Sequence, residues 1–465
     1  MKSILNLFKD KEIVKSFNEA RKNYICDSIF KKALLLASSY IQNKKKYLVL
    51  CNSLHNASLL YEYLTNLLED ENIITYFSDE TIRIETVAES KELLANRIYA
   101  LNKCLKEEPG ILITHTSSFL RYLPSKEDFK EGVKRVVVGQ TINKKDLENF
   151  LQKNGYKRVN KVCNTLEYSS RGEVLDFFSI NYDNPVRIEF FDDEIESIRY
   201  FDLEKQTTIK QDDHVLILPA SELIIKDKEK AIEILKKELE KERKLLSEDE
   251  AELLKENVNE DIEKIETETY TTSLYKYYSL INDCNNLNDY FNADVCLLMD
   301  KPSIYNNYDL LVKETYDYKC ELYEDKKVLS NISLYYDLNN VLVGCKKIIQ
   351  LNDFQTKDSD EYFYLNPLTN CNGSSKMATK LIKNYLDLKY KIYIYLTNEH
   401  QITNLNLWFD EYEIDKNLVQ IINEDLIEGF VLDEEKIAVL TARELFLQKI
   451  TTGRYFTKFK SSQAI

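Results

Sequence analysis

Residues 168–178, YSSRGEVLDFF, and 184–202, NPVRIEFFDDEIESIRYFD, decide how this chain is read. The second block alternates: Val186, Ile188 and Phe190 interleave with Arg187, Glu189 and Phe191, the period-two pattern of a strand with one face on a core. Asp183, Asn184 and Pro185 close the segment 179–185 with strong turn chemistry, and Asp192-Asp193 makes a second tight turn. The expectation is a three-stranded antiparallel meander over 171–178, 186–191 and 194–201. Phe191 is then an aromatic left on the polar face beside Arg187, an anchor pair typical of protein interfaces. Hairpin pairing across the 179–185 turn would bring Arg171 towards the same end. The plainer alternative has both arginines solvated and Phe191 packed under a neighbouring loop.

Outward from this block the texture changes. The first 125 residues alternate apolar strands (47–51, 111–114) with amphipathic helices (32–41, 57–68), which reads as an α/β unit with a mostly parallel sheet. The β-rich texture runs from 136 to 220. Residues 226–268 are charged, with Ile232, Leu235, Leu239 and Leu246 at helical spacing, so this tract is expected to be helical with a solvated face. Val295–Met299 reads as a buried strand ending on Asp300. From about 335 a last α/β unit begins, with strands at 392–396, 418–422 and 437–441 and a helix over 402–412.

Composition sets the bounds. The 465 residues with 44% hydrophobic content call for three or four compact units. Seventy-eight acidic against 63 basic residues give a net charge of −15, which repels a phosphate backbone and makes nucleic acid a poor main ligand. The nine cysteines are scattered without a C-x-x-C pair, so they read as buried reduced thiols in a reducing cytosol rather than as a zinc site or disulfide framework. No leader or membrane span is expected and the location is expected to be cytoplasmic. Nine glycines beside 32 tyrosines point to an AT-rich genome more than to any function.

Catalytic chemistry has no sequence support. A P-loop needs glycines so that backbone N–H groups can close around phosphates, yet no glycine precedes Gly110 and residues 24–32 read YICDSIFKK. Gly373, Ser374, Ser375 and Lys376 lack the first glycine and the Gly-Lys step, and are read as an ordinary loop. Asp300 is followed by Lys301 and Pro302, so the second carboxylate of a metal-holding motif is missing and Asp300 reads as a turn residue. With four histidines there is no H-E-x-x-H and no G-x-S-x-G. No catalytic residue, cofactor or metal ligand is assigned.

Residues 168–202, continued by Gln206–Ile209 and Leu216–Ala220, resemble the UvrB-interaction subdomain shared by the excision-repair protein UvrB and by the transcription-repair coupling factors (Mfd). The glycine-free start favours the latter family, whose version of the P-loop scaffold is degenerate. Residues 437–446 resemble the strand and acidic turn that close that family's third domain, and 458–465 resemble the linker before its polymerase-binding domain. The resemblance implies an α/β multidomain fold: a degenerate P-loop-type parallel-sheet domain with an inserted β-rich UvrB-interaction subdomain, then a second small α/β domain. The expected divisions are 1–125 and 213–334 for the two parts of the UvrB-like domain, 126–212 for the insert, 335–450 for the third domain and 451–465 for a linker. The chain would then be a truncation or fragment, ending before the polymerase-interaction domain and the motor lobes.

By the same resemblance, the chain is a non-catalytic docking and autoregulatory module that recruits UvrA to stalled transcription complexes in nucleotide excision repair. It is not an enzyme itself, although the family's full-length protein is an ATP-dependent DNA translocase. The family's UvrA-contacting positions fall on Arg171, Arg187 and Phe191, whose replacement should hardly alter stability. Glu173 stands where a second glycine or small residue is usual. RNA polymerase, DNA and the protein's own C-terminal domain are partners implied only for the full-length protein, with weak or no DNA binding by this part alone. The competing class is an ATP-dependent helicase or UvrB-like DNA-binding repair protein.

Overall fold

The computed structural model describes residues 2–19, 22–68, 72–79, 90–268 and 272–446. The expected linker at 451–465 lies outside them. Along the chain, β1 (Tyr24–Ile25), β2 (Lys46–Cys51), β3 (Ile73–Tyr76) and β4 (Gly110–His115) come first, and every residue in them is buried. The chain then leaves for a β-rich unit: β5 (Lys134–Val137), β6 (Lys157–Arg158), β7 (Glu167–Arg171), β8 (Val174–Phe177), β9 (Val186–Phe191), β10 (Glu194–Phe201), β11 (Thr208–Asp212) and β12 (His214–Ile217). It returns with β13 (Val295–Met299), β14 (Ile348–Asn352) and β15 (Glu361–Tyr362).

These returning strands join the first four in one seven-stranded sheet, ordered β15-β1-β14-β13-β2-β4-β3 and parallel throughout. The apolar run KYLVLC of β2 is what a strand covered on both faces requires. Tyr47 and Val49 join the core beneath the helices Ile29–Asn43 and Leu54–Leu68, while Leu48 and Leu50 join the core beneath Lys91–Cys104 and Lys301–Glu324. Ser28 caps the first of these helices by accepting the Lys31 N–H, and Lys44 ends it in the left-handed region.

The last sheet holds β16 (Lys391–Tyr395), β17 (Val419–Ile422), β18 (Phe430–Leu432) and β19 (Ile437–Thr441), in the order β17-β16-β19-β18 with β18 antiparallel. Phe430 packs against Phe8 and Phe30, so this sheet shares a core with the first. The mixed α/β character, the parallel sheet and the β-rich insert are as the sequence pattern implied.

Several local expectations need correction. Residues 171–178 are not one strand: Arg171 ends β7, Gly172 turns the chain at φ 52°, and β8 starts at Val174. The charged tract is helical as expected, but in two helices, Lys228–Arg243 and Glu248–Glu266, divided where Ser247 and Glu250 form a capping box. Leu235, Leu239, Leu254 and Val258 are buried between its helices and their neighbours, and the outer side is charged. Asp300 opens the 24-residue helix Lys301–Glu324, and Ser374 caps the helix Ser375–Asp387 where a plain loop was expected. Five of the nine cysteines are buried, and burial pushes Cys26, Cys51 and Cys104 up to about 12; Cys163, by contrast, is exposed. Among the described residues no helix is long and apolar enough to cross a membrane.

A buried charge cluster fastens the strand-rich insert to the parallel-sheet unit. Glu222, just past β12, accepts from Arg97 Nε (3.0 Å), Arg121 Nη2 (2.6 Å) and Tyr76 Oη (3.0 Å). Burial pushes the Glu222 carboxyl up, but Arg97 and Arg121 more than offset this and hold it below the usual range. Its folded-state pKa is depressed, so its contribution is present above the ordinary carboxylate pKa and is lost as pH falls through the lower folded value. Glu222→Ala removes the buried carboxylate that Arg97, Arg121 and Tyr76 share and should cost about 3–5 kcal/mol. Urea unfolding at neutral pH measures it, and a loss under about 1 kcal/mol would show that the cluster does not fasten the units.

Candidate docking surface

The β-rich unit is a six-stranded sheet ordered β11-β10-β9-β8-β7-β6, with β5 and β12 pairing beside it. Val186 and Ile188 are fully buried and Phe190 is 3% exposed; together with Leu175, Phe177, Ile198 and Tyr200 they form its core under the helix Lys144–Lys153. Alternation then places Arg187, Glu189 and Phe191 on the outer face. Phe191 is 70% exposed.

Register locates the three predicted residues relative to one another. Arg171 pairs with Val174, and Val174 with Glu189, so Arg171 shares the outer face two strand spacings, about 10 Å, from Glu189. The turn 171–174 and the turn 191–194 lie at the same end of the sheet, with Gly172 at φ 52° and Asp192 at φ 54° as first turn residues. Left-handed backbone suits Gly172, whereas Glu173 is not among the residues with positive φ. Lys144 Nζ closes the first turn by donating to Gly172 O and to Ser170 Oγ (3.0 Å). Arg171 therefore does reach the Phe191 end, but through this turn, while the 179–185 connection sits at the opposite end.

Arg171 and Arg187 differ in their local ties. Arg171 is exposed and donates to Asn160 O. Arg187 is half-buried, forks onto Asp176 (Nε–Oδ1 2.7 Å, Nη2–Oδ2 2.8 Å) and lies 4.6 Å from the Phe201 ring centroid. The Asp176 hydrogen bonds hold its pKa above the usual arginine value. Sequence reasoning missed Asp176 as the residue that aims this fork. The register Asp176↔Arg187 would have indicated it once the 171–174 turn was recognised.

Elsewhere the loop 26–28 after β1 opens into a cleft of about 200 Å³ at the carboxyl ends of the parallel strands, lined in part by Ser28, Asn52 and Asp300. Its buried Lys32 pairs with Asp353 (2.5 Å), and Lys31 pairs with Asp27 (2.5 Å). Both lysines are thus engaged by this chain's own carboxylates. One possible metal-ligand group occurs among the described residues, Asp212, Asp213 and His214, and there Lys210 holds Asp212 (2.8 Å) while His214 Nδ1 lies 2.5 Å from Asp213.

Residues 135–223, which hold this sheet, match the UvrB interaction domain. Over nearly its whole length the chain is similar to transcription-repair-coupling factors. It is 27% identical to that of Bacillus subtilis (strain 168) across 95% of this chain and 40% of the relative, and 26% identical to that of Staphylococcus aureus (strain bovine RF122 / ET3-1) across 92% and 38%. For Staphylococcus epidermidis (strain ATCC 35984) the figures are 24%, 92% and 38%. The chain spans about two fifths of the length of these curated relatives, and the matched part is their N-terminal region. The resemblance read from residues 168–220 is borne out.

Adjacent phenylalanines on opposite faces give a sharp stability contrast. Phe190→Ala should cost about 3–5 kcal/mol by opening a core cavity, and Phe191→Ala should stay within about 0.5 kcal/mol. Arg187→Ala should cost up to about 1 kcal/mol, since its Asp176 pair is only partly buried. Thermal melts of the three variants check this; a larger loss for Phe191→Ala than for Phe190→Ala would invert the face assignment.

Proposed function

We propose that this chain is the docking and autoregulatory part of a transcription-repair coupling factor, a non-catalytic module that recruits UvrA to stalled transcription complexes in nucleotide excision repair. The observation that carries the reading is Phe191: a large aromatic, 70% exposed, on a rigid strand, with Arg187 on the same face and Arg171 at the same end. Exposed aromatics framed by arginines are the residue types that dominate binding energy at interfaces. The match to a UvrB interaction domain supports UvrA as the partner. In this reading Arg171, Arg187 and Phe191 contact UvrA, and RNA polymerase, DNA and a C-terminal domain of the same protein are partners of the longer relatives' kind of assembly.

The parallel-sheet unit is read as a degenerate P-loop scaffold. A working site needs backbone N–H groups and a free lysine for the phosphates, whereas the loop 26–28 has no glycine and Lys32 is held by Asp353. Mg-ATP titrated into the protein should give no binding heat. A saturable isotherm that disappears in Lys32→Ala would favour the ATP-dependent helicase reading instead.

Binding is tested by titrating UvrA against wild type, Arg171→Ala, Arg187→Ala and Phe191→Ala, each with a melting curve. Phe191→Ala should weaken binding about 30-fold, or about 2 kcal/mol, with an unchanged melt. Unaltered affinity in all three variants would place the interface elsewhere and remove the functional reading.

A further inference from the structure

The outer face carries a further arginine that no comparison assigns to docking. β10 would place Arg199 on the core side if it alternated without interruption from Glu194, which faces outward opposite Phe191. A register shift between Ile195 and Ser197 inserts one residue, after which Ser197 pairs with Glu189, Ile198 with Ile188 and Arg199 with Arg187. The bulge therefore re-aims Arg199 to the outer face, a use bulges have beside functional sites. Ile198 and Tyr200 stay buried on the core side.

This arrangement sets two like charges directly across from each other, which is unfavourable in a strand pair. Each is tied to its own carboxylate, Arg187 to Asp176 and Arg199 to Glu189. Glu189 is fixed in turn by the Ser197 hydroxyl (2.8 Å). Arg199 Nε is enclosed and has no acceptor among the described residues, so a partner can reach only the other guanidinium atoms. The side chain is nevertheless 30% exposed, so it reaches the outer face that Phe191 shares.

Resting on the docking reading above, we infer that Arg199 is a fourth contact residue and that the partner surface it meets is acidic. It would offer carboxylates to the guanidinium hydrogens of Arg187 and Arg199 that Asp176 and Glu189 leave open, on the same face as an apolar pocket for Phe191. A carboxylate suits this face because a planar guanidinium offers two parallel donors that a lysine ammonium does not. Within the free protein the Arg199 fork is aimed by Glu189.

The test compares UvrA binding by wild type, Arg199→Ala, Arg199→Lys and, as a control on the docking reading itself, Phe191→Ala, at low and physiological salt, with melting curves. Arg199→Ala and Arg199→Lys should both weaken binding about tenfold, and Arg199→Ala should flatten the salt dependence of affinity. Lysine retains a charge for Glu189 but lacks the planar fork, so it decides the matter if the alanine variant melts early. Wild-type affinity in Arg199→Lys together with loss in Phe191→Ala overturns this inference and leaves the docking reading standing. Wild-type affinity in Phe191→Ala overturns both.

Discussion

Side chains along a strand point alternately to its two sides, and in β9 this parity governs everything built around it. Val186, Ile188 and Phe190 face inward because their burial drives the β-rich unit to fold, at roughly 1.5–3 kcal/mol for each side chain fully removed from water. The same parity forces Arg187, Glu189 and Phe191 outward on a rigid frame. A slip of one residue would exchange the two sets, burying two charges and exposing the core. Stability of the sheet and presentation of the outer face are therefore one constraint.

What the sequence made legible follows from where local pattern was sufficient. Uninterrupted apolar strands such as β2 and β13 announce a parallel sheet buried on both faces, and the alternation in β9 announces its own two sides. Arg171 was drawn on the wrong strand because the turn at Gly172 and Glu173 contains one glycine and no proline or asparagine, so the run looked continuous. The long helix Lys301–Glu324 was not legible: its buried side chains Ile304, Leu311 and Tyr318 recur once every two turns, with only Leu322 one turn further on, too sparse a stripe to stand out. Pro302 is compatible with it because a proline in the first helical turn removes no required hydrogen bond. The aiming of Arg187 by Asp176 and of Arg199 by the bulge depends on cross-strand register, which no single segment encodes.

Two surfaces of the molecule contrast in how they treat charge. In the cleft at the carboxyl edge of the parallel sheet, where such sheets ordinarily receive ligands, Lys32 is engaged by Asp353 of the same chain, and its neighbour Lys31 by Asp27. On the outer face of the β-rich sheet Arg187 and Arg199 are also paired, yet they share that face with an exposed aromatic, Phe191. Pre-aimed forks lose less side-chain entropy on binding than free ones, and an uncovered phenylalanine supplies the apolar contact. Glu222, with Arg97 and Arg121, holds the two surfaces in one molecule.

The central claim is that the partner seats on Phe191. A photo-crosslinking residue placed at position 191 of the full chain tests it most directly, with the same residue at Phe354, an aromatic 80% exposed on the parallel-sheet unit, as the comparison. On illumination with UvrA, position 191 should give a covalent adduct mapped to an acidic surface of UvrA, and position 354 should give none. An adduct from 354 with none from 191 would contradict the account.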